Sequence, residues 1–415
     1  MATYINRIAD HTLATDMTAF AGVLITGPRG VGKSRMAGRI AASTLQLDAN
    51  DDRSLVLADP DGAISGRAHP LLIDEWQLAP DVLRAVKRSV DQGDGPGRFI
   101  VTGSARNDLL QDLWPTTGRL IRHRLWGLTG RELYGTAAAP SLFDRWNDPD
   151  QRFVVPESPP TLRDYIRIAL RSGFPDAAQL NDVKVAQRWL RSYVDEVATS
   201  DLRTLSAPGT RLKDPARFKS YLEAYSLNTA GVTPHSTIYE RAAINKATAN
   251  AYLAALVSLG VVQELPAWGT NRQRRLFVER AKRYVVDAGI AAAAAGVTVD
   301  DVYAEDDLRG RIIDTFVAAQ LRVEAEASEG ARLLHLRTRN GEHEVDIVAE
   351  YRRKLYGFEI KAGNNPDRTD ARHLIWFRDE IGAERFGGGV VFHTGPHRYE
   401  IDEQIEAVPI AGLWG

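Results

Sequence analysis

The stretch "GPRGVGKS", Gly27 to Ser34, directly after the apolar run "GVLIT", restricts this chain more than any other. Val23, Leu24 and Ile25 read as a buried strand, and Met36, Ala37 and Ile40 recur at helical spacing, so the loop stands between a strand and a helix. That is the context G-x-x-x-x-G-K-S requires. Its glycines turn backbone N–H groups toward phosphate oxygens, Lys33 neutralises the terminal phosphates, and Ser34 offers a hydroxyl to magnesium. The helix N-terminus adds partial positive charge. The expected phosphate-contacting set is Gly27, Pro28, Arg29, Gly30, Val31, Gly32, Lys33, Ser34 and Arg35.

A phosphate cradle only binds; hydrolysis needs carboxylates at the exit of a neighbouring strand. "HPLLIDEWQLAP" supplies them, with Leu71, Leu72 and Ile73 as the strand. Asp74 is expected to join Ser34 in the magnesium shell, and Glu75 to polarise the attacking water. The next strand, "RFIVTGSARN", ends in Thr102 and Ser104, and Ser104 is the expected sensor of the γ-phosphate. Of Arg106, Arg119 and Arg122 beyond it, Arg119 in "TGRL" is expected to stabilise the transferring phosphoryl group. Supplied within the chain, it leaves a monomer sufficient; supplied by a neighbour, it implies a homo-oligomer. The glutamate and the inserted sensor strand point to the additional-strand ATPases and away from the small GTPases. With no N-K-x-D guanine-reading motif in sight, ATP and Mg2+ are the expected cofactors.

These motifs, with "GRLIRHRLWGLTGREL", "SGFPD" at Ser172 to Asp176 and the closing "GLWG", resemble the prokaryotic AAA-family ATPases whose C-terminal half is a domain of unknown function. The resemblance covers nearly the whole chain. It implies an ATPase core, a helical middle and a nuclease-like tail.

At 415 residues the chain exceeds what one hydrophobic core usually serves, so three segments are expected, 1–150, 151–300 and 301–415. A formal net charge of -2 gives no global attraction to nucleic acid or anionic lipid, so such a partner must meet a local patch. The lack of cysteine removes disulfides, thiolate nucleophiles and cysteine zinc sites, and suits a reducing cytosol. No apolar run approaches the ~18 residues of a membrane span, and no signal sequence is visible, so a cytoplasmic protein is expected.

"PDQRFVVPESPPT" is a surface connection by composition, and helical spacing follows it through "TLRDYIRIALRSGFPD" and "VAQRWLRSYVDEVATSDL". From Thr237 a short helix, a turn at Asn245, a longer helix to Gly260 and alternating residues suggest a winged helix. "TNRQRRLFVERAKRY" sets Arg272, Arg274, Arg275, Arg280, Lys282 and Arg283 against Glu279, a patch that suits a duplex backbone. The longer helix is mostly alanine, leucine and valine, which argues against base-specific reading. Packing against the ATPase core or a protein partner is the other use such a module has.

In the tail, "DDLRGRIIDTFVAAQLRVEAEA" reads as an amphipathic helix with Ile312, Ile313, Phe316, Val317 and Leu321 on one face. Strands alternate with turns after it, as "RNGE" indicates. Asp346 is followed thirteen residues later by Glu359, with Lys361 on the same face of the strand. Two carboxylates and a lysine so arranged can hold a divalent cation and stabilise a phosphorane-like charge, a constellation that resembles the PD-(D/E)xK nuclease core. Asp314 on the preceding helix is a further expected ligand. Glu344-Val345 stands where a proline-aspartate step would precede Asp346. A nuclease-shaped module whose acids form salt bridges is the alternative. His335, His343 and the other histidines show no i, i+4 pairing and are expected at the surface.

The expected fold class is thus α/β: a P-loop parallel sheet of the additional-strand AAA type, a helical and winged-helix middle, and a C-terminal restriction-endonuclease-like α/β domain. The leading functional reading is an ATP-hydrolysing switch whose C-terminal parts contact nucleic acid. Its rival is a nucleotide-gated signalling or toxin-antitoxin-like scaffold with a silent tail that binds a protein.

Overall fold

A computed structural model describes residues 4–93, 95–103, 119–135, 137, 140–202, 214–269, 280–339 and 341–415. It divides into two compact units, Met1–Trp126 with Leu256–Val261, and Gly127–Ala255 with Val262–Gly415. The boundaries expected at 150 and 300 therefore do not coincide with those of the units. Residues 127–150 fold with the second unit, and the middle and the tail share one body.

In the first unit, strands β1 (Gly22–Thr26), β2 (Ser43–Gln46), β3 (Leu71–Asp74), β4 (Phe99–Thr102) and β5 (Ile121–Arg124) form one sheet in the order β2-β3-β4-β1-β5. Every pairing is parallel. The three central strands, β3, β4 and β1, are buried throughout and read as continuous apolar runs, while the edge strands β2 and β5 carry polar and partly exposed residues. Strand period two then divides them. Val23, Ile25, Leu72 and Ile100 pack with Leu13 and Met17 of α1 (Ile8–Ala19), whereas Leu24, Leu71, Ile73 and Val101 pack with Trp76 and with Val82 and Val86 of α5 (Val82–Asp91). Between them, α2 (Lys33–Gly38), α3 (Asn50–Ala58) and α4 (Pro60–Ile64) complete the helical layers. The helix after the glycine loop is six residues long, shorter than its apolar spacing predicts. It stops at Gly38, a weak helix former, and Ile40 is left exposed as the chain turns into the edge strand β2.

The second unit begins with short helical turns and then α6 (Leu162–Arg171), α7 (Val183–Glu196) and α8 (Pro215–Ser226). Next come α9 (His235–Arg241) and α10 (Lys246–Ser258), with an antiparallel ribbon of β6 (Val262–Leu265) and β7 (Lys282–Val285). The last three residues of α10 and the turn after them belong to the first unit. After α11 (Ala288–Ala295), the 22-residue helix α12 (Asp306–Ala327) is buried on nearly every side from Ile312 to Ala325, not along one stripe. Phe316, expected in its buried face, is only partly covered.

The polar groups on α12 have partners within the unit. Glu324 pairs with Arg131 at 2.7 Å, and Gln320 accepts from Trp414 Nε1 at 2.7 Å. A mixed sheet follows in the order β12-β13-β11-β10-β9-β8. It is built from β8 (Arg332–Arg337), β9 (Glu344–Tyr351), β10 (Lys354–Ile360), β11 (Phe386–His393), β12 (Tyr399–Asp402) and β13 (Ile405–Pro409). Strands β8, β9 and β10 are antiparallel neighbours, and β10 is parallel to β11. Leu374 and Phe377 of α13 (Arg372–Ile381) pack on this sheet beside Val345, Leu355 and Val391.

Candidate functional site

Strand β4 lies between β1 and β3, so the loop leaving β1 and the acids leaving β3 end on the same edge of the sheet, one strand apart. Ser34 Oγ donates to Asp74 Oδ1 at 2.9 Å, and Thr102 Oγ1 donates to the same oxygen. The polar residue of β4 that meets the acid is thus Thr102. Ser104 lies outside the described residues, as does Arg106.

The glycine loop is held from both ends. At Gly27, φ is 150°, and a Cβ would stand 2.2 Å from the Leu125 carbonyl oxygen, so no side chain fits there. Lys33 is buried, and its ammonium donates to the Gly27 and Pro28 carbonyls at 3.1 and 2.8 Å. Arg29 and Arg35 are exposed. Arg7, twenty residues before the motif, is buried and donates to Val31 O at 3.1 Å and to Trp126 O. Sequence reading missed it, because nothing local marks an arginine that braces a distant loop.

Glu75 sits at φ 57°, ψ 45°, a left-handed conformation uncommon for a glutamate, and its carboxylate accepts from the Gln77 side-chain amide. Arg119 is at the surface, paired with Asp91 at 2.6 Å. Arg122 is on β5 and exposed.

In the second unit a cavity of about 770 Å³ is lined by Asp314, Asp346, Glu359 and Lys361, with Arg311 and Arg337 among its other walls. The four tail residues singled out by sequence are therefore brought together by α12, β9 and β10. One group was not foreseen. Lys282, from ribbon strand β7, is 1% exposed and pairs with Asp314 at 2.7 Å and with Asp346 at 2.8 Å. Burial alone would disfavour its ammonium, but the two carboxylates outweigh that and hold it well above the ordinary lysine value.

Burial pushes the Asp314 carboxyl up to about 6 against the pull of Lys282. Burial and the neighbouring Asp346 also raise Glu359 well above the usual carboxylate range, although Lys361 lies 3.3 Å away. The expected basic patch is accordingly smaller. Lys282 and Arg283 are buried, and Arg283 bonds to Thr233 O and Glu264. Arg272, Arg274, Arg275 and Glu279 lie outside the described residues.

His335, expected at the surface, is fully buried, with Nε2 facing the Arg280 carbonyl at 2.8 Å. His343 is half-buried and stacks on Trp376 at 4.1 Å.

Residues 20–134 match the family model described as an AAA domain, so the first unit is similar to a P-loop ATPase domain in sequence as well as in its parallel sheet. Residues 162–301 and 309–413 match two domains of unknown function, DUF8612 and DUF4143. Uncharacterized proteins of Mycobacterium tuberculosis (Rv2008c) and Mycobacterium bovis (Mb2031c) are each 27% identical over 400 residues, spanning 93% of this chain and 79% of the relative. Among solved structures, a Walker-type ATPase of Pyrococcus abyssi is 14% identical with a TM-score of 0.44, covering 70% of this chain and 96% of its own. Thermotoga maritima RuvB is 16% identical with a TM-score of 0.27, covering 67% and 90%. Among the described residues, no helix is long and apolar enough to cross a membrane.

Proposed function

We propose that the chain binds ATP with Mg2+ at the Gly27–Ser34 loop, hydrolyses it, and uses nucleotide state to govern how its second unit engages the phosphate backbone of duplex DNA. The contact of Ser34 with Asp74 carries the first part. Their oxygens are 2.9 Å apart. Adjacent ligands of an octahedral Mg2+ with bonds of 2.0–2.1 Å are about 2.9 Å apart, so this pair suits that ion. Bound there, Mg2+ neutralises charge on the β- and γ-phosphates.

The chain's own residues would do the rest. Backbone N–H groups from Arg29 to Ser34 hold the phosphates, and Lys33 turns its ammonium from the loop carbonyls to the phosphate oxygens. Glu75 orients the attacking water and accepts its proton. Thr102 keeps the Asp74 carboxylate in place. Arg119 precedes β5 and pairs with Asp91 at the edge of the parallel sheet opposite the glycine loop, so it serves a γ-phosphate only if a second copy of the chain supplies it. Titration of the purified chain with ATP at millimolar Mg2+ should give saturable binding and turnover, the first weakened and the second lost in Lys33→Ala. A folded sample with no saturable signal would overturn this reading.

For the DNA contact, the supporting observation is a second cavity of about 1150 Å³, lined by residues of α6, α7 and the stretch 297–300. Arg163, Arg167, Arg171, Lys184, Arg188 and Arg191 line it against Asp164, Asp182 and Asp300, six cations to three acids. Such a surface favours phosphates without reading bases. Duplex DNA should raise ATP turnover in a salt-sensitive way, and Arg188→Glu with Arg191→Glu should abolish the stimulation. Nucleotide that co-purifies, with turnover near zero whatever is added, would favour the scaffold reading instead. Metal-dependent cleavage by Asp314, Asp346, Glu359 and Lys361 is not part of the proposal, because Lys282 already engages the two aspartates.

A further inference from the structure

Period two along β7 puts Lys282 and Tyr284 on one face of the ribbon, and both side chains reach Asp314 of α12. Lys282 Nζ donates to Asp314 Oδ2 at 2.7 Å and to Asp346 Oδ1 at 2.8 Å. Tyr284 donates to Asp314 Oδ1 at 2.8 Å, and the Ile360 N–H donates to Asp346 Oδ2 at 3.1 Å. All four oxygens of the carboxylate pair are thus engaged by donors of the chain itself.

We infer that Lys282 is a resident cation standing where a nuclease-like fold would keep a divalent metal, so that the chain binds neither Mg2+ nor Mn2+ between Asp314 and Asp346 while Lys282 is present. A metal taking one oxygen from each aspartate at about 2.0–2.2 Å would have to lie against the ammonium that both oxygens already contact. Two cations so close, in a buried site with little solvent to screen them, repel strongly. The donor set agrees. Among the described residues, no group of three or more histidines, aspartates or glutamates is placed to hold a metal ion.

The charge count gives the inference its second half. Without the ammonium, the buried Asp314 and the half-buried Asp346 become two facing acids that need protons or another cation. Glu359 lines the same cavity, is 3% exposed, and keeps one buried oxygen, Oε1, without a hydrogen-bond partner. Removing the lysine should therefore leave Asp314 and Asp346, with Glu359 on the same cavity wall, as acids whose charge a divalent cation can neutralise in its place. The inference does not depend on the ATP reading, since it concerns the second unit alone.

The test is Mn2+ binding by the full chain without nucleotide, followed by the spectroscopic signal of free Mn2+ and by the thermal midpoint. The wild-type chain should show no binding that Asp346→Asn removes. Lys282→Ala should take up one Mn2+, with a midpoint that rises with the metal, and Lys282→Ala with Asp346→Asn should lose both effects. If Lys282→Ala does not fold, Lys282→Gln should gain the binding and Lys282→Arg, which keeps a cation, should not. Wild-type Mn2+ binding that Asp346→Asn abolishes would overturn the inference, and so would a folded Lys282→Ala or Lys282→Gln that binds no Mn2+.

Discussion

Ser34 Oγ donates to Asp74 Oδ1 across 2.9 Å, joining the glycine loop after β1 to the acid at the end of β3 while β4 runs between the two strands. The proposed roles assign Asp74 to the metal and Glu75 to the water, so their variants should separate. Glu75→Gln should keep ATP affinity and slow turnover by ~10²–10⁴-fold, the usual contribution of a positioned general base. Asp74→Asn should instead shift the Mg2+ dependence of binding. Normal turnover by Glu75→Gln would remove the water-activating role.

Lys33 gives up two carbonyl partners when it turns to phosphate, so its contribution to binding is a difference. Lys33→Ala should weaken ATP by about 10- to 150-fold, from the ~1.5–3 kcal/mol of hydrogen bonds to charged groups. Calorimetric titration measures it. Thermal stability should change little by comparison.

The buried pair of Arg131 and Glu324 predicts a large stability effect in the second unit. Glu324 accepts from Arg131 with both oxygens, at 2.7 and 2.8 Å, and also from the Leu142 N–H at 2.7 Å. Arg131→Met strands a buried carboxylate and should cost about 3–5 kcal/mol. Adding Glu324→Gln removes the stranded charge and should restore part of the loss. Denaturant unfolding of both variants gives the comparison.

Acid should destabilise the second unit through two histidines. Burial lowers both His335 and His393 to about 4, from the ordinary 6.5. His393 Nδ1 accepts from the Gly395 N–H at 3.1 Å, a bond the protonated ring could not accept. Because the unfolded chain takes up these protons first, stability present above pH 6.5 is lost as pH falls from 6.5 toward 4. At pH 5 the loss is about 2 kcal/mol for each ring. His393→Gln should flatten the fall of the unfolding midpoint across that range, if the neutral side chain is accommodated.

The nucleotide half was legible because its chemistry is local: a loop of fixed spacing, an acidic strand end, and a strand inserted between them. The place of β4 between β1 and β3 follows from those three segments, and those of β2 and β5 do not. Asp314, Asp346, Glu359 and Lys361 could be grouped from strand period and helix position. Lys282 could not. In sequence it belongs to a run of arginines, and its partners lie 32 and 64 positions away. The same applies to Arg7 and to His335, whose settings are made by tertiary packing alone. The reading of α12 as amphipathic failed because its aspartate, glutamine and glutamate look solvent-facing by type, while each has a buried partner.

Six residues that close α10 and the turn after it, Leu256 to Val261, fold with the first unit, and Gly260 there lies 3.3 Å, measured from an added Cβ, from the Pro28 nitrogen. The lip of the glycine loop is thus capped by a segment encoded more than 220 positions downstream of it. A fragment ending at Trp126 would lack that segment. Neither half of this protein can be excised with a single pair of scissors.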